Sequence, residues 1–303
     1  MRTIIGVFLC AAAALTSCQR TSTTNVRVDP ALATLVPAGT AILVGARLDK
    51  LRETPVYQKR FREVPMPRLD EFAKQTGLDP RRDIWEVLFA SNGTQSGVLM
   101  ARGKFPTSEL EPKLEHEGAT RTAYKGYTLF GDEHNAAFFM NSSTALAGSM
   151  PLLKSIIDSR DRSGAGIPAK LEPLVNAIPA GSQFWAVFSG SAIRLPFAND
   201  SNLGNLNQIV QSIEAGRFSA DLSKGFEFAA NGTCKTDEDA KRIHDFLKGM
   251  IGLGRLSTPD NQPEMLKMYD SIQVNQQARI VSVSANISQD AVDRFLTTFV
   301  GKR

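Results

Sequence analysis

The chain has 303 residues, 42% of them hydrophobic and 22% charged, with a formal net charge of +4 at pH 7. That balance excludes an intrinsically disordered chain and supplies enough apolar surface for a core. Three cysteines in this length exclude a disulfide-stapled scaffold, so the fold must stand on packing.

Residues 3–15 are apolar or small throughout and follow one basic residue, Arg2. The order charged, apolar, then small is that of an export signal. With 13 residues the run is too short to span a bilayer, which needs roughly 20. It closes on Leu15-Thr16-Ser17-Cys18, a motif that resembles the lipobox of bacterial lipoproteins. The resemblance implies that residues 1–17 are a cleaved signal peptide and that Cys18 carries acyl chains on its sulfur and its amine. The membrane would then be a partner, because two or more acyl chains anchor stably where one binds marginally. Position 19 is Gln rather than the Asp that retains many such proteins at the inner membrane. In a host with two membranes, the family rule therefore points to the outer one.

Residues 18–34 then read as a lipidated tether, polar and rich in Ser and Thr at its start. With Cys10 cleaved away and Cys18 acylated, Cys234 is the remaining thiol and no intrachain disulfide can form. A lone cysteine with no His or Asn at a recognisable spacing is expected to pack as a small apolar side chain.

Basic character is concentrated in one segment. Between Arg47 and Arg82 there are ten Lys or Arg against six acids, a local excess equal to the net charge of the whole chain. The segment is a candidate contact for an anionic envelope surface, although its interleaved signs also suit a solvated helical face. Nucleic acid is not expected as a partner, because no aromatic residues alternate with the basic ones to stack bases.

An internal repeat organises the rest. Pro37-Ala38-Gly39 and Pro179-Ala180-Gly181 each precede an apolar strand, and residues 97–103 line up with 225–231, each running into a helix start. Thr236 and Asp239 form a capping box, followed by Ala240, Ile243, Leu247 and Met250 on one helical face. Ser108 and Glu111 stand at the same spacing in the first copy. Both copies end in strands and a helix, and the alternation in residues 280–284 predicts a strand with one wet face.

The expected fold class is therefore α+β: two tandem repeats, residues 35–162 and 170–303, each a mainly antiparallel sheet with helices on one face. Residues 163–169 form a Gly-rich linker, and edge-to-edge pairing of the copies would leave one continuous sheet. The steps Val36-Pro37-Ala38-Gly39-Thr40 and Gly77-Leu78-Asp79-Pro80 resemble exported bacterial families of unknown function. That resemblance implies a Pro-Ala turn opening a strand and carries no activity across.

The search for chemistry leaves little. The histidines His116, His134 and His244 have no partner at metal-ligand spacing, and Asp132-Glu133-His134 sits in a turn whose successive side chains diverge. There is no Gly-x-Ser-x-Gly elbow, Ser-x-x-Lys or Walker loop. We expect no catalytic residues, no metal and no cofactor, hence a non-enzymatic binding or structural role at the membrane. One alternative is a carrier of a lipid or other apolar ligand, which requires a cavity lined from residues 184–188 and 138–140. The other is a hydrolase whose groups converge only in three dimensions, with His244 beside Asp245 as its first candidate.

Overall fold

The computed structural model describes residues 28–62, 64–93, 97–160, 166–190, 211–259 and 261–299. The expected signal peptide, Cys18 and residues 163–165 of the expected linker lie outside these. Folding starts earlier than residue 35. Asp29 caps a short helix α1 (Pro30–Ala33), its Oδ1 accepting the Ala31 N–H at 2.8 Å, with Pro30 at the first helical position. Leu32 in this helix is completely buried, so the packed part of the chain includes residues before 35.

Strand β1 (Ile42–Arg47) is followed by α2 (Leu48–Glu53), a short π-helix (Tyr57–Phe61), α3 (Pro67–Thr76) and α4 (Pro80–Asp83). Local chemistry sets these limits. Gly77 ends α3 at φ 79°, and Asp79 caps α4 through the Arg81 N–H. Strands β2 (Ile84–Ser91) and β3 (Gly97–Gly103) lead to α5 (Thr107–His116). The capping position of α5 is Pro106, without a side-chain cap, so the Ser108 and Glu111 box does not form.

A meander of β4 (Thr120–Tyr124), β5 (Tyr127–Gly131), β6 (Asn135–Asn141) and β7 (Thr144–Ser149) then runs into α6 (Met150–Ser159). The second part comprises α7 (Glu172–Asn176), β8 (Phe184–Ser189), β9 (Ile213–Asp221) and β10 (Gly225–Cys234). It continues through α8 (Asp237–Leu256), α9 (Pro263–Ser271), β11 (Gln273–Gln277), β12 (Ile280–Ser288) and α10 (Gln289–Phe299).

All the strands join one 12-stranded sheet in the order β11-β12-β10-β9-β8-β1-β2-β3-β7-β6-β5-β4. The central ladder is the antiparallel pair of β1 and β8, with Ile42 opposite Phe188 and Ala46 opposite Phe184. This is an α+β protein built on a large antiparallel sheet.

Alternation along each strand defines two faces. On the face of Leu43, the side chains of Leu88, Val98, Met100, Phe138, Leu146, Trp185 and Val187 form the main core with Leu32 of α1, Leu153 and Ile156 of α6 and Val175 of α7. On the opposite face, that of Val44, Ala101, Phe139 and Ala145 pack against Phe72 of α3, Leu110 of α5, Leu78 and Phe105. The expectation of helices on one face is thus corrected for the first part of the chain. Strands β3, β6 and β7 are apolar at adjacent positions, such as Met100 with Ala101 and Phe138 with Phe139, and such strands need cover on both sides.

In the second part the cover switches. Ala240 and Ile243 of α8 pack with Val274 and Val281 on the Val44 face. The Leu43 face there carries Ser219, Asn231, Ser282, Ser284 and Asn286 instead of a core. Thr236 caps α8 by accepting the Asp239 N–H at 3.0 Å, and the helix runs through Gly249, Gly252 and Gly254. Its apolar face stops sooner than the periodicity predicts: Met250 is 52% exposed and Leu256 85%.

Candidate functional site

A cavity of about 440 Å³ lies between α8 and the Val44 face of β8, β9, β10 and β12. Its walls are Phe188, Ile213, Phe218, Ile243, Phe246, Leu247, Val281 and Val283, with the buried Cys234 at one side. Glycines shape the floor by letting neighbouring side chains lie against the backbone. Phe188, Gly216, Gly232 and Val281 are successive cross-strand partners, and the Phe188 ring lies so close over Gly216 that a Cβ there would stand 2.5 Å from its Cε1. Ile213 likewise lies over Gly232, its Cγ2 3.2 Å from where a Cβ would stand, so both side chains settle close to the sheet and leave space beneath α8. From the cavity a row of mutual partners runs along the same face of the sheet, Phe218, Ala186, Val44, Phe89 and Leu99. Within it Phe218 and Val44 are each 38% exposed and Leu99 44%.

Sequence reasoning missed this site in part. Phe188 and its neighbour Ala186 line it, but Phe138 is completely buried in the other face's core and Trp185 is 1% exposed there. The residues Asn231-Gly232-Thr233, which resemble a turn, belong to β10. A glycine inside an apolar strand is the signal that marks such a close approach.

The titratable candidates do not converge. His116 and His134 are exposed, and the Asp132 carboxylate is taken up by the backbone N–H groups of His134 and Asn135 in its own turn. His244 Nδ1 lies 2.9 Å from Asp245 Oδ1, but Lys241 Nζ is 2.9 Å from the other oxygen. Lys241 foremost, and then His244, hold that carboxyl below its usual range. Such an exposed, ion-paired acid on a helix surface is a poor general base. Burial pushes the Cys234 thiol up, which disfavours the nucleophilic thiolate.

Among the described residues, four of the segment's ten basic side chains are ion-paired. Arg81 pairs with Asp70 and Asp79, Arg82 with Asp83, Lys50 with Glu53 and Lys59 with Asp293, while Arg52 donates to the carbonyls of Arg81 and Ile84. The pair of Lys59 with Asp293 ties the connection between β1 and β2 to α10, and the others are local.

One carboxyl stands apart. Glu86 has Arg47 and Arg102 opposite it on the neighbouring strands. Both guanidinium groups are turned elsewhere: Arg47 donates to the Ala180 carbonyl, and Arg102 to Asp29 Oδ2, the Ser143 carbonyl and Thr144 Oγ1. Desolvation therefore dominates and raises the Glu86 pKa to about 7. Its Oε1 accepts the Asp29 N–H at 3.4 Å, so Glu86 and Arg102 together clasp the point where the chain enters the fold.

Because the folded pKa is raised, ionisation of Glu86 opposes folding. The penalty is absent below the unfolded value of 4.5 and complete above about 7. A shift of that size is worth about 3 kcal/mol at most, and partial solvent access reduces the expectation to about 1–2 kcal/mol. Glu86→Gln should therefore stabilise the protein by that amount at pH 8 and be nearly neutral at pH 4.5, as read by urea denaturation at both pH values. A pH-independent effect would refute this account.

Fold and cavity together define an α+β protein with an apolar compartment under one helix and, among the described residues, no group of three or more His, Cys, Asp or Glu able to hold a metal. No protein-family model matches the chain, and no curated protein matches it in sequence. Solved structures share the fold. Crystal form III of TP0453 superposes with a TM-score of 0.51 at 12% identity, covering 90% of this chain and 99% of that one. Crystal form IV of TP0453 gives 0.50 at 11%, covering 89% and 97%.

Proposed function

We propose that this is a lipid-anchored protein of the bacterial cell envelope that binds rather than catalyses, and that its ligand is an acyl chain or similar apolar molecule held under α8. The observation that carries the reading is the cavity of about 440 Å³ with its apolar walls, which lies in the size range of small-molecule sites. Anchoring rests on Leu15-Thr16-Ser17-Cys18, with Gln19 favouring the outer membrane where there are two. A protein held at a bilayer meets acyl chains at high local concentration, so modest affinity would suffice.

The two-repeat organisation is part of this reading and is supported by the strand order. Outward from the central ladder, β1-β2-β3-β7-β6 runs parallel in topology to β8-β9-β10-β12-β11. Each Pro-Ala-Gly turn closes on a like hydrogen bond, Thr40 N–H to the Pro37 carbonyl and Ser182 N–H to the Pro179 carbonyl. Counted along the ladders from Val44 and Ala186, the counterpart of Leu99 is Ala230. The matching of Gly97 with Gly225 therefore needs a shift of three residues.

The test is a titration of the mature chain, made soluble by Cys18→Ser, with a fluorescent long-chain fatty acid in detergent-free buffer. Ala186→Phe, which puts a ring on the cavity floor, should weaken binding at least about tenfold, equivalent to about 1.4 kcal/mol. Unchanged affinity in that variant, or no binding to the parent chain, would remove the acyl-chain reading.

A further inference from the structure

We propose a second site on the opposite face of the sheet, for a small hydroxylated organic cation such as an amino sugar. It does not rest on the acyl-chain reading, since strand alternation sets Ser219, Ala229 and Ser284 on one face and Phe218, Ala230 and Val283 on the other. On that polar face a cavity of about 460 Å³ is lined by Ser182, Ser219, Asp221, Glu227, Ser284 and Asn286, among others.

Two independent observations point to a ligand. The first is charge. Asp221 and Glu227 are direct cross-strand partners, an arrangement that destabilises a sheet. Asp221 accepts from Gln183 Nε2 at 3.2 Å and the Ser223 N–H at 2.8 Å, and Glu227 accepts from Asn286 Nδ2 at 3.2 Å. Among the described residues neither carboxylate makes an ion pair, and Lys224, in the turn that joins their strands, pairs with neither. The second is unspent hydrogen-bonding capacity. Ser182 is 1% and Ser219 7% exposed, both line the cavity, and neither hydroxyl has a hydrogen-bond partner among the described residues.

Buried polar groups ordinarily find partners. A ligand in the cavity would meet the two buried hydroxyls, the half-buried Asp221 carboxylate and, at the exposed rim, that of Glu227, and one that displaces water from beside two carboxylates must bring positive charge to offset the desolvation. An ammonium group beside sugar hydroxyls has that combination, and the volume suits a molecule of that size.

The experiment is isothermal titration calorimetry of the same soluble mature chain with three probes: glucosamine, glucose as its uncharged analogue, and methylammonium as the charge without hydroxyls. Glucosamine should bind at least tenfold more tightly than either control. Glu227→Gln should lose at least tenfold of that affinity and leave fatty-acid binding unchanged. Ser219→Val, which removes a hydroxyl without touching charge, should weaken glucosamine binding severalfold. The proposal is overturned if glucosamine gives no heat with the folded parent chain, if either control binds equally well, or if Glu227→Gln retains full affinity while folded by circular dichroism.

Discussion

Replacing Gly45 by valine should cost the protein about 3 kcal/mol of stability or more. Gly45 lies in the middle of β1, directly opposite Trp185 of β8, and the indole covers it so closely that any Cβ would overlap the ring. Neither side can give way cheaply. Trp185 is 1% exposed and packed in the main core, and β1 with β8 is the ladder through which the two parts of the sheet meet. Overpacking a core costs about 1–3 kcal/mol, and more where the backbone must move; here the moving backbone would be the central pair.

The indole serves by its volume. Among the described residues its Nε1 is buried without a hydrogen-bond partner, a loss of about 1–3 kcal/mol that filling the space over the glycine must offset. A double-mutant cycle makes the argument measurable. Gly45→Ala and Trp185→Leu should each destabilise, and the pair together should cost at least about 1 kcal/mol less than their sum, because the smaller side chain vacates the space that the new methyl needs. Strict additivity in urea denaturation would show that the ring and the glycine are not coupled.

Replacing Cys18 by serine should move the protein from the membrane fraction to the soluble one and abolish labelling by a fatty-acid analogue in a bacterial host. Among the described residues no helix is long and apolar enough to cross a membrane, and the anchor we propose, on the lipobox resemblance, is the acyl chains on Cys18. Two or more chains hold a protein on a bilayer while none leaves only weak surface contacts. A Cys18→Ser protein that still incorporates label would sink the lipoprotein reading.

The sequence by itself determined what depends on neighbours along the chain. The Gly77 and Asp79-Pro80 steps end one helix and start the next, Thr236 caps α8, and residues 280–284 alternate as a strand, because capping, turn geometry and side-chain alternation act within a few residues. Where local signals failed, a distant partner overrode them, as when Gly232 entered β10 rather than a turn.

Only the tertiary structure decided which strands are adjacent, and everything functional follows from that. The clasp at Glu86 joins Asp29 to Arg102 across 73 residues, and Arg47 reaches Ala180 across 133. The apolar cavity forms where Phe188 lies over Gly216 and Ile213 over Gly232, on different strands beneath α8, and the polar one where Asp221 and Glu227 meet across a rung. Spacing along the chain carries no record of such encounters. They are set by ladder register, where a slip of one residue would exchange the two faces of the sheet.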